Sequence, residues 1–181
     1  MKISKKLLIT IICAVVLFCA TTSGTIAYII TKSQEAENAF QPVFVSCIVE
    51  ENFDGVTKSD VKIRNTGDIN AYIRATFVVM WVSESGAVNA TSPRENTDYA
   101  VMMGSSNWVK GSDGFYYYTS PVLPGEATEH LISAIAPTVE GPDGCYLSVH
   151  IAATAIQAEP YSAVNEAWGA VVQDGGNITP P

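Results

Sequence analysis

The feature that most constrains the fold is the run from Ala71 to Val82, in which alternate side chains form two faces and neither face is strongly polar. Successive side chains of a β-strand point to opposite sides of its sheet. A strand that is apolar on both sides is typically buried on both. The run therefore predicts a long central strand that is covered over much of each face.

Shorter strand patterns surround this run and are separated by turn-forming residues. The stretch VFVSCIVEE predicts a first strand, and KSDVKIRN predicts a second with Val61 and Ile63 inward and Lys62 and Arg64 outward. Asn65-Thr66-Gly67-Asp68 then reads as a turn. Residues 108–110 and 115–119 predict a hairpin around Ser112-Asp113-Gly114, and residues 145–157 predict the longest strand.

The helical period is almost absent from the chain. One short stretch, YSAVNEAWG, predicts a helix with Ser162 as its N-cap and Gly169 as its stop. Strands of this length between Gly, Pro, Asn and Asp turns indicate an all-β fold, an antiparallel β-sandwich. We expect a jelly-roll-like topology, with an immunoglobulin-like topology as the alternative, over residues 39–176 and followed by a tail at 177–181.

The first 27 residues have the pattern of a secretory signal peptide. Lys2, Lys5 and Lys6 precede an apolar block at 7–20, which is shorter than the roughly 20 residues of a membrane span. The segment Thr25-Ile26-Ala27 predicts cleavage after Ala27, so that Tyr28 becomes the first residue and residues 28–38 form a polar tether. The alternative is an uncleaved anchor over 7–30, and either form predicts a secreted or cell-surface protein.

The exported part of the chain is strongly acidic. Removal of the three signal lysines leaves seven of the ten basic residues against all 18 acids, a formal net charge of −11. This excess argues against nucleic acids and anionic lipid surfaces as partners. We therefore expect contact with a membrane only through the N-terminal segment.

Two cysteines remain after cleavage, Cys47 and Cys145. Strand alternation places each on an inward face, and an exported domain permits a disulfide between them. The alternative is a pair of separate buried thiols that act as small hydrophobic side chains. Both interpretations stay open, because a bridge requires the two Cα atoms to lie within about 7 Å.

The sequence predicts no catalytic residues, no metal site and no cofactor. His130 and His150 are the only histidines, and neither belongs to a His-Glu-x-x-His motif. The aromatic stretch FYYYTSP offers an alternative function, since exposed rings can form a platform for sugars. Alternation separates Phe115 and Tyr117 from Tyr116 and Tyr118. We take Trp108, Tyr116 and Tyr118 as the candidate surface-binding aromatics.

Several stretches together resemble one family over nearly the whole chain. These are the signal ending in SGTIAY, KSDVKIRNTGDINAYIRATFVVMWV, WVKGSDGFYYYTSPVLPGE and AIQAEPYSAVNEAWG. They are similar to the SipW-dependent exported proteins of Gram-positive bacteria, whose remote relatives include TasA and camelysin. The resemblance implies processing by a SipW-type signal peptidase, an extracellular jelly-roll-like domain, and a place at the cell surface or in the biofilm matrix.

Three functions follow as expectations. The first is a non-enzymatic structural protein that associates with itself or with other matrix proteins. TasA-like fibres, in which each subunit lends an N-terminal strand to the next, imply residues 28–40 as the donor segment here. The second is an extracellular module that binds glycans or surfaces. The third is a camelysin-like metalloprotease, although no residues of this chain match a protease site.

Overall fold

The computed structural model describes residues 43–181. The predicted signal peptide (1–27), its cleavage site between Ala27 and Tyr28, the alternative anchor (7–30) and the tether (28–38) lie outside the described residues. Within residues 43–181 the fold contains ten strands and one α-helix. In chain order they are β1 (Cys47–Phe53), β2 (Lys58–Asn65), β3 (Ala71–Val82), β4 (Tyr99–Met103), β5 (Trp108–Lys110), β6 (Tyr116–Tyr118), β7 (Ile132–Pro137), β8 (Tyr146–Gln157), α1 (Tyr161–Trp168), β9 (Val171–Val172) and β10 (Ile178–Thr179).

Two four-stranded sheets form the body of the fold. One has the strand order β1-β2-β7-β4 and the other β5-β6-β3-β8, and every neighbouring pair is antiparallel. The prediction of an all-β antiparallel sandwich is confirmed. Within residues 43–181, no helix is both long enough and apolar enough to cross a membrane.

The strand order is close to that of a jelly roll. In an eight-stranded jelly roll, two Greek keys place the second, seventh and fourth strands side by side in one sheet and the sixth, third and eighth in the other. Both groups of neighbours occur here. Two strands differ. The fifth strand of a jelly roll lies beside the fourth, whereas β5 pairs with β6 here, and the first strand of a jelly roll lies beside the eighth. Here β1 pairs with β2 instead, so it belongs to the opposite sheet from β8.

The main core lies between the two sheets and is formed by alternate side chains. Residues Val61 and Ile63 of β2 are fully buried, as predicted, and they face Ile73 and Ala75 of the central strand β3. The strand β3 pairs with β8 along its whole length, from Ala71 opposite Gln157 to Val82 opposite Tyr146. This continuous ladder makes β8 a straight edge for the second sheet.

A second, smaller core covers one end of the outer face of β3. Tyr72 of β3 and Tyr117 of β6 are fully buried there against Val164 of α1 and Ile178 of β10. The predicted cover of the outer face of β3 is therefore present at this end of the strand, whereas Val78 farther along the same face is 54% exposed. Residues 177–181 were expected to form a tail, but Ile178 lies in this core because β10 pairs with β9.

The C-terminal end of the helix α1 is as predicted, and its N-terminal end is not. Gly169 is the stop that the sequence predicts, since its left-handed φ of 67° lets its N–H bond back to the carbonyl of Asn165. Ser162 is not the N-cap. The chain enters the helix from Pro160, and no side chain caps the first turn. Proline fixes φ but has no side-chain oxygen, so the first-turn N–H groups lack the side-chain cap that Ser162 was expected to supply.

The predicted turn Asn65-Thr66-Gly67-Asp68 anchors the point at which the N-terminal part of the chain joins the fold. The N–H groups of Thr66 and Asp68 donate to the carbonyls of Ser46 and Phe44. A Cβ on Gly67 would lie 2.4 Å from the Phe44 carbonyl oxygen. Glycine is therefore the residue that allows this close backbone approach.

Gly67→Ala is expected to loosen this anchor and lower the free energy of unfolding by about 1–2 kcal/mol, because the added methyl overlaps a backbone atom. Amide exchange of Thr66 and Asp68 should rise in the variant. Gly55→Ala is the position for comparison, because a Cβ there meets nothing within 4 Å although its φ is positive. Unchanged protection of Thr66 and Asp68 would contradict the anchoring role.

Candidate functional site

The most distinctive feature of the surface is a groove between the edge strands of the two sheets. The strand β1 ends one sheet, β8 ends the other, and the two lie side by side without pairing. The groove between them has a volume of about 470 Å³. Its walls are Val49, Glu51 and Phe53 of β1, residues 146–151 of β8, and Val56, Lys58 and Ile135.

The edge of β8 offers backbone groups along this groove. The carbonyl of Val149 accepts a hydrogen bond from Lys58, which lies on the side away from β3. Alternate residues of a strand direct their backbone groups to the same side. The N–H and C=O groups of Leu147, Ile151 and Ala153 therefore also face away from β3. Among residues 43–181, the Lys58 contact is the one hydrogen bond made to this side of β8.

Lys58 bridges the two edges. Its ammonium lies 2.8 Å from the Val149 carbonyl oxygen and 2.6 Å from a carboxylate oxygen of Glu51 on β1. The Lys58 side chain is 14% exposed and that of Glu51 is 33% exposed. Lys58 therefore sits within the groove and Glu51 at its exposed rim, and the lysine side chain connects the two sheets.

A β-bulge explains why this lysine faces inward. Between the pairs Glu50–Lys62 and Asn52–Ser59, β2 has one residue more than β1. Asp60 occupies this stretch with a left-handed φ of 55°. An extra residue reverses the alternation, so Lys58 and Val61 point to the same side although they are three residues apart.

The three acidic side chains of the stretch EENFDG (residues 50–55) point in different directions and have different partners. Glu51 faces the groove, while Glu50 faces outward and accepts from Arg64 at 2.6 Å. The hydrogen bond and charge of Arg64 lower the pKa of Glu50. Asp54 accepts from the N–H groups of Thr57 and Val56, and these bonds lower its pKa. The acids therefore do not converge on one point.

An apolar depression of about 610 Å³ continues the groove at its lower end, the end at which β8 begins. The two share Val56, Tyr146 and Leu147. Large apolar side chains are exposed around it: Phe53, Val56, Val139 and Tyr146 are each 49–62% exposed. Exposed apolar side chains in one region mark an interaction surface more often than isolated ones do.

The three candidate surface-binding aromatics do not form an exposed platform. Trp108 is only 7% exposed, and its indole N–H donates to the carbonyl of Glu129. Tyr118 contacts the Trp108 ring, and Tyr116 stacks on Phe77 in the main core. The alternation along β6 is as predicted, but both faces of this strand are covered, and Tyr117 on the other face is fully buried in the second core.

Cys47 and Cys145 are both free thiols, and the structure does not bring them together. Cys145 borders the depression beside Gly55 and Val56, which follow the end of β1, whereas Cys47 is the first residue of β1. Seven strand residues separate these two positions by roughly 20 Å, and a bridge requires about 7 Å. Both thiols pack against the main core, and burial raises the pKa of Cys47.

The histidines lie on the surface. His150 faces outward from β8, as predicted, and its Nε2 lies 3.2 Å from the hydroxyl of Ser148. Within the described structure, no further group orients this imidazole. His130 lies 4.0 Å from Asp60. No three His, Cys, Asp or Glu side chains in residues 43–181 are placed to share a metal ion.

Comparisons with family models, curated proteins and solved structures find no match to this chain.

No motif in the sequence points directly to the groove residues. Simple alternation from Val61 and Ile63 places Ser59 inward and Lys58 outward, the reverse of what the bulge produces. The free edge of β8 depends on which strands pair, and alternation within one strand carries no information about its neighbours. The one local signal is Asp60, because aspartate is among the few residues that adopt a left-handed φ at low cost.

Proposed function

We propose that this chain is an exported, non-enzymatic structural protein of the cell surface or biofilm matrix, belonging to the SipW-dependent group that it resembles, and that its copies associate by strand addition. The observation that carries the proposal is the outer edge of β8, which no strand of residues 43–181 pairs with, beside an open groove. In strand addition, backbone hydrogen bonds supply affinity, and pockets for alternate side chains fix the register. The groove and its apolar depression offer such pockets.

The jelly-roll order supports this site for the added strand. In a complete jelly roll, another strand lies antiparallel to the eighth at the position that β1 leaves open here. A strand in this position would extend the sheet beyond β8 and cover Leu147 and Val149 from the side. Unpaired edges of long strands are the usual sites of association between sheets.

Chain length favours a second copy as the source of that strand. Residues 28–42 provide 15 residues before Val43, which lies near Gln157 at the upper end of β8. A strand antiparallel to β8 ends beside Tyr146 at the lower end. Spanning β8 takes about 37 Å and returning to Val43 takes the same again, whereas 15 extended residues reach only about 50 Å.

Donation from a second copy produces a head-to-tail arrangement. The donor's Val43 would lie near the acceptor's Tyr146, so the upper end of one copy meets the lower end of the next. Both ends expose apolar side chains: Val43 and Phe44 above, and Phe53, Val56 and Val139 below. A head-to-tail contact that does not close on itself generates a filament.

Electron microscopy and light scattering of residues 28–181 test the proposal. We expect filaments whose mass grows with protein concentration. Ala153→Pro should prevent them, because it removes an N–H that faces away from β3 while leaving the β3 ladder intact. Ala90→Pro, in an exposed loop, is the matched control and should assemble normally. A wild-type protein that remains monomeric at every concentration would refute strand addition.

Export is tested separately. Protein from the culture supernatant should begin with Tyr28 when its N-terminus is sequenced. An intact Met1 in the membrane fraction would instead identify an anchored ectodomain, and a soluble cytosolic protein that keeps its leader would refute export.

A further inference from the structure

The contact between Lys58, Glu51 and Val149 lies at the point where an added strand would have to bind. We propose that Lys58 is a gate on the edge of β8, which occupies a backbone acceptor of that edge in the single copy and must be displaced before a strand can be added. This inference rests on the proposed strand-addition function and concerns the regulation of the same site.

The gate acts on a backbone acceptor. A strand that pairs along β8 needs the Val149 carbonyl for one of its own N–H groups. In the single copy this oxygen is held by the Lys58 ammonium at 2.8 Å. A hydrogen bond from a charged donor is stronger than one from a neutral amide, so an incoming strand exchanges a strong bond for a weaker one at this position.

Glu51 keeps the gate in place. Its carboxylate lies 2.6 Å from the ammonium, and it projects from β1 on the far side of the groove. The same ammonium is therefore held by β1 through Glu51 and by β8 through Val149. An inward-pointing charge of this kind is one way in which proteins limit pairing at sheet edges.

Lys62 shows that an ion pair with β1 does not by itself create this arrangement. It lies on the same strand as Lys58 and also pairs with a glutamate of β1, since its ammonium is 3.5 Å from Glu50. Lys62 faces the outer side of the sheet, and no hydrogen bond links it to β8 in the described structure. It is therefore a matched control for the charge, the strand and the partner residue type.

The test measures binding of a synthetic peptide of residues 28–42 to dilute protein of residues 28–181 by fluorescence anisotropy, together with the lag time of assembly by light scattering. Lys58→Met keeps most of the apolar stem and removes the charge. We expect it to bind the peptide about tenfold more tightly than wild type and to assemble with a shorter lag, since no charged hydrogen bond has to be broken. Lys62→Met should behave as wild type.

Two further variants keep the result interpretable. Glu51→Gln removes the charged partner of the Lys58 ammonium. It should tighten peptide binding by a smaller factor than Lys58→Met does, so it replaces Lys58→Met if that variant does not fold. Lys58→Met combined with Ala153→Pro should lose the added binding, which locates the peptide at the edge of β8.

The outcomes distinguish failure of the gate from failure of strand addition. Equal binding by wild type and Lys58→Met overturns the gate and leaves strand addition standing. Weaker binding by Lys58→Met also overturns the gate and makes Lys58 a contact for the added strand. Binding by Lys58→Met alone supports the gate. If neither protein binds and Lys58→Met stays monomeric, both the gate and strand addition are refuted.

Discussion

Asn65→Ala is expected to lower the free energy of unfolding by about 3 kcal/mol. Asn65 is fully buried. Its side-chain amide donates to the carbonyls of Ile69 and Val122, both at 2.8 Å, and its side-chain oxygen accepts from the N–H of Gly67 at 2.9 Å. Truncation leaves the Gly67 N–H and the Ile69 carbonyl without their side-chain partner, whereas the Val122 carbonyl keeps its bond from the Ala71 N–H. Such buried groups are costly to leave unsatisfied.

Urea denaturation followed by circular dichroism measures this effect. Asn52→Ala is the matched control, because Asn52 also lies in the β1–β2 hairpin but is exposed and makes one side-chain bond, to Asp60. It should change stability by no more than about 0.5 kcal/mol. A loss below about 1 kcal/mol for Asn65→Ala would mean that water reaches the turn and replaces the side chain.

Local sequence patterns predict the turn at Asn65 but not the burial of its side chain. The sequence predicts a turn at Asn65 from residue types alone, and the structure contains it. The connection from this turn to Val122 spans 57 positions along the chain. That contact depends on the packing of the whole sandwich, so no local pattern predicts that Asn65 is fully buried.

The strands themselves are predictable because alternation is a local property. The long strands β3 and β8 and the β5–β6 hairpin are expected from it, and the inward residues Val61 and Ile63 follow as well. Alternation divides the side chains of a strand into two sets, but it does not say what covers each set. For β6 the main core covers Tyr116 and the second core covers Tyr117, so the aromatic rings serve packing and do not form the exposed platform that was the alternative.

The candidate site depends on two features that strand alternation does not predict. A bulge at Asp60 reverses the orientation of Lys58, and the strand order places β1 beside β8 without pairing. Bulges change the phase by one residue, and strand order is a property of long-range contacts. A sequence can therefore predict a sandwich here and still miss its open side.

Arg74→Ala is expected to lower the free energy of unfolding by about 2 kcal/mol, because the Arg74 side chain fastens α1 and the β5–β6 hairpin to β3. Its guanidinium carbon lies 4.2 Å from the centre of the Phe115 ring and 4.8 Å from that of Trp168. It also donates to Asp113 at 3.4 Å and to the Tyr117 hydroxyl at 3.2 Å. Tryptophan emission should shift as Trp168 loses this contact.

Two arginine variants separate the contribution of the planar guanidinium from that of charge. Arg74→Lys keeps the charge but not the flat group that stacks between the rings, so we expect an intermediate loss. Arg94→Ala removes an arginine that is 73% exposed and pairs with Asp98. It should cost no more than about 0.5 kcal/mol. An equal loss for Arg74→Ala and Arg94→Ala would contradict the fastening role.

The pH dependence of Arg74→Ala follows from its partner Asp113. Burial alone would raise the pKa of Asp113, but hydrogen bonds from Tyr117 and the Phe115 N–H, with the charge of Arg74, together hold it below its usual value. A carboxyl with a lowered pKa stabilises the fold above its unfolded pKa, and this contribution is lost as the pH falls through the folded value. Arg74→Ala removes the part of this contribution that comes from the charge of Arg74, and it does so at every pH. The stability difference between wild type and Arg74→Ala should therefore narrow as the pH falls through the carboxyl range, whereas a constant difference would assign the loss to ring stacking alone.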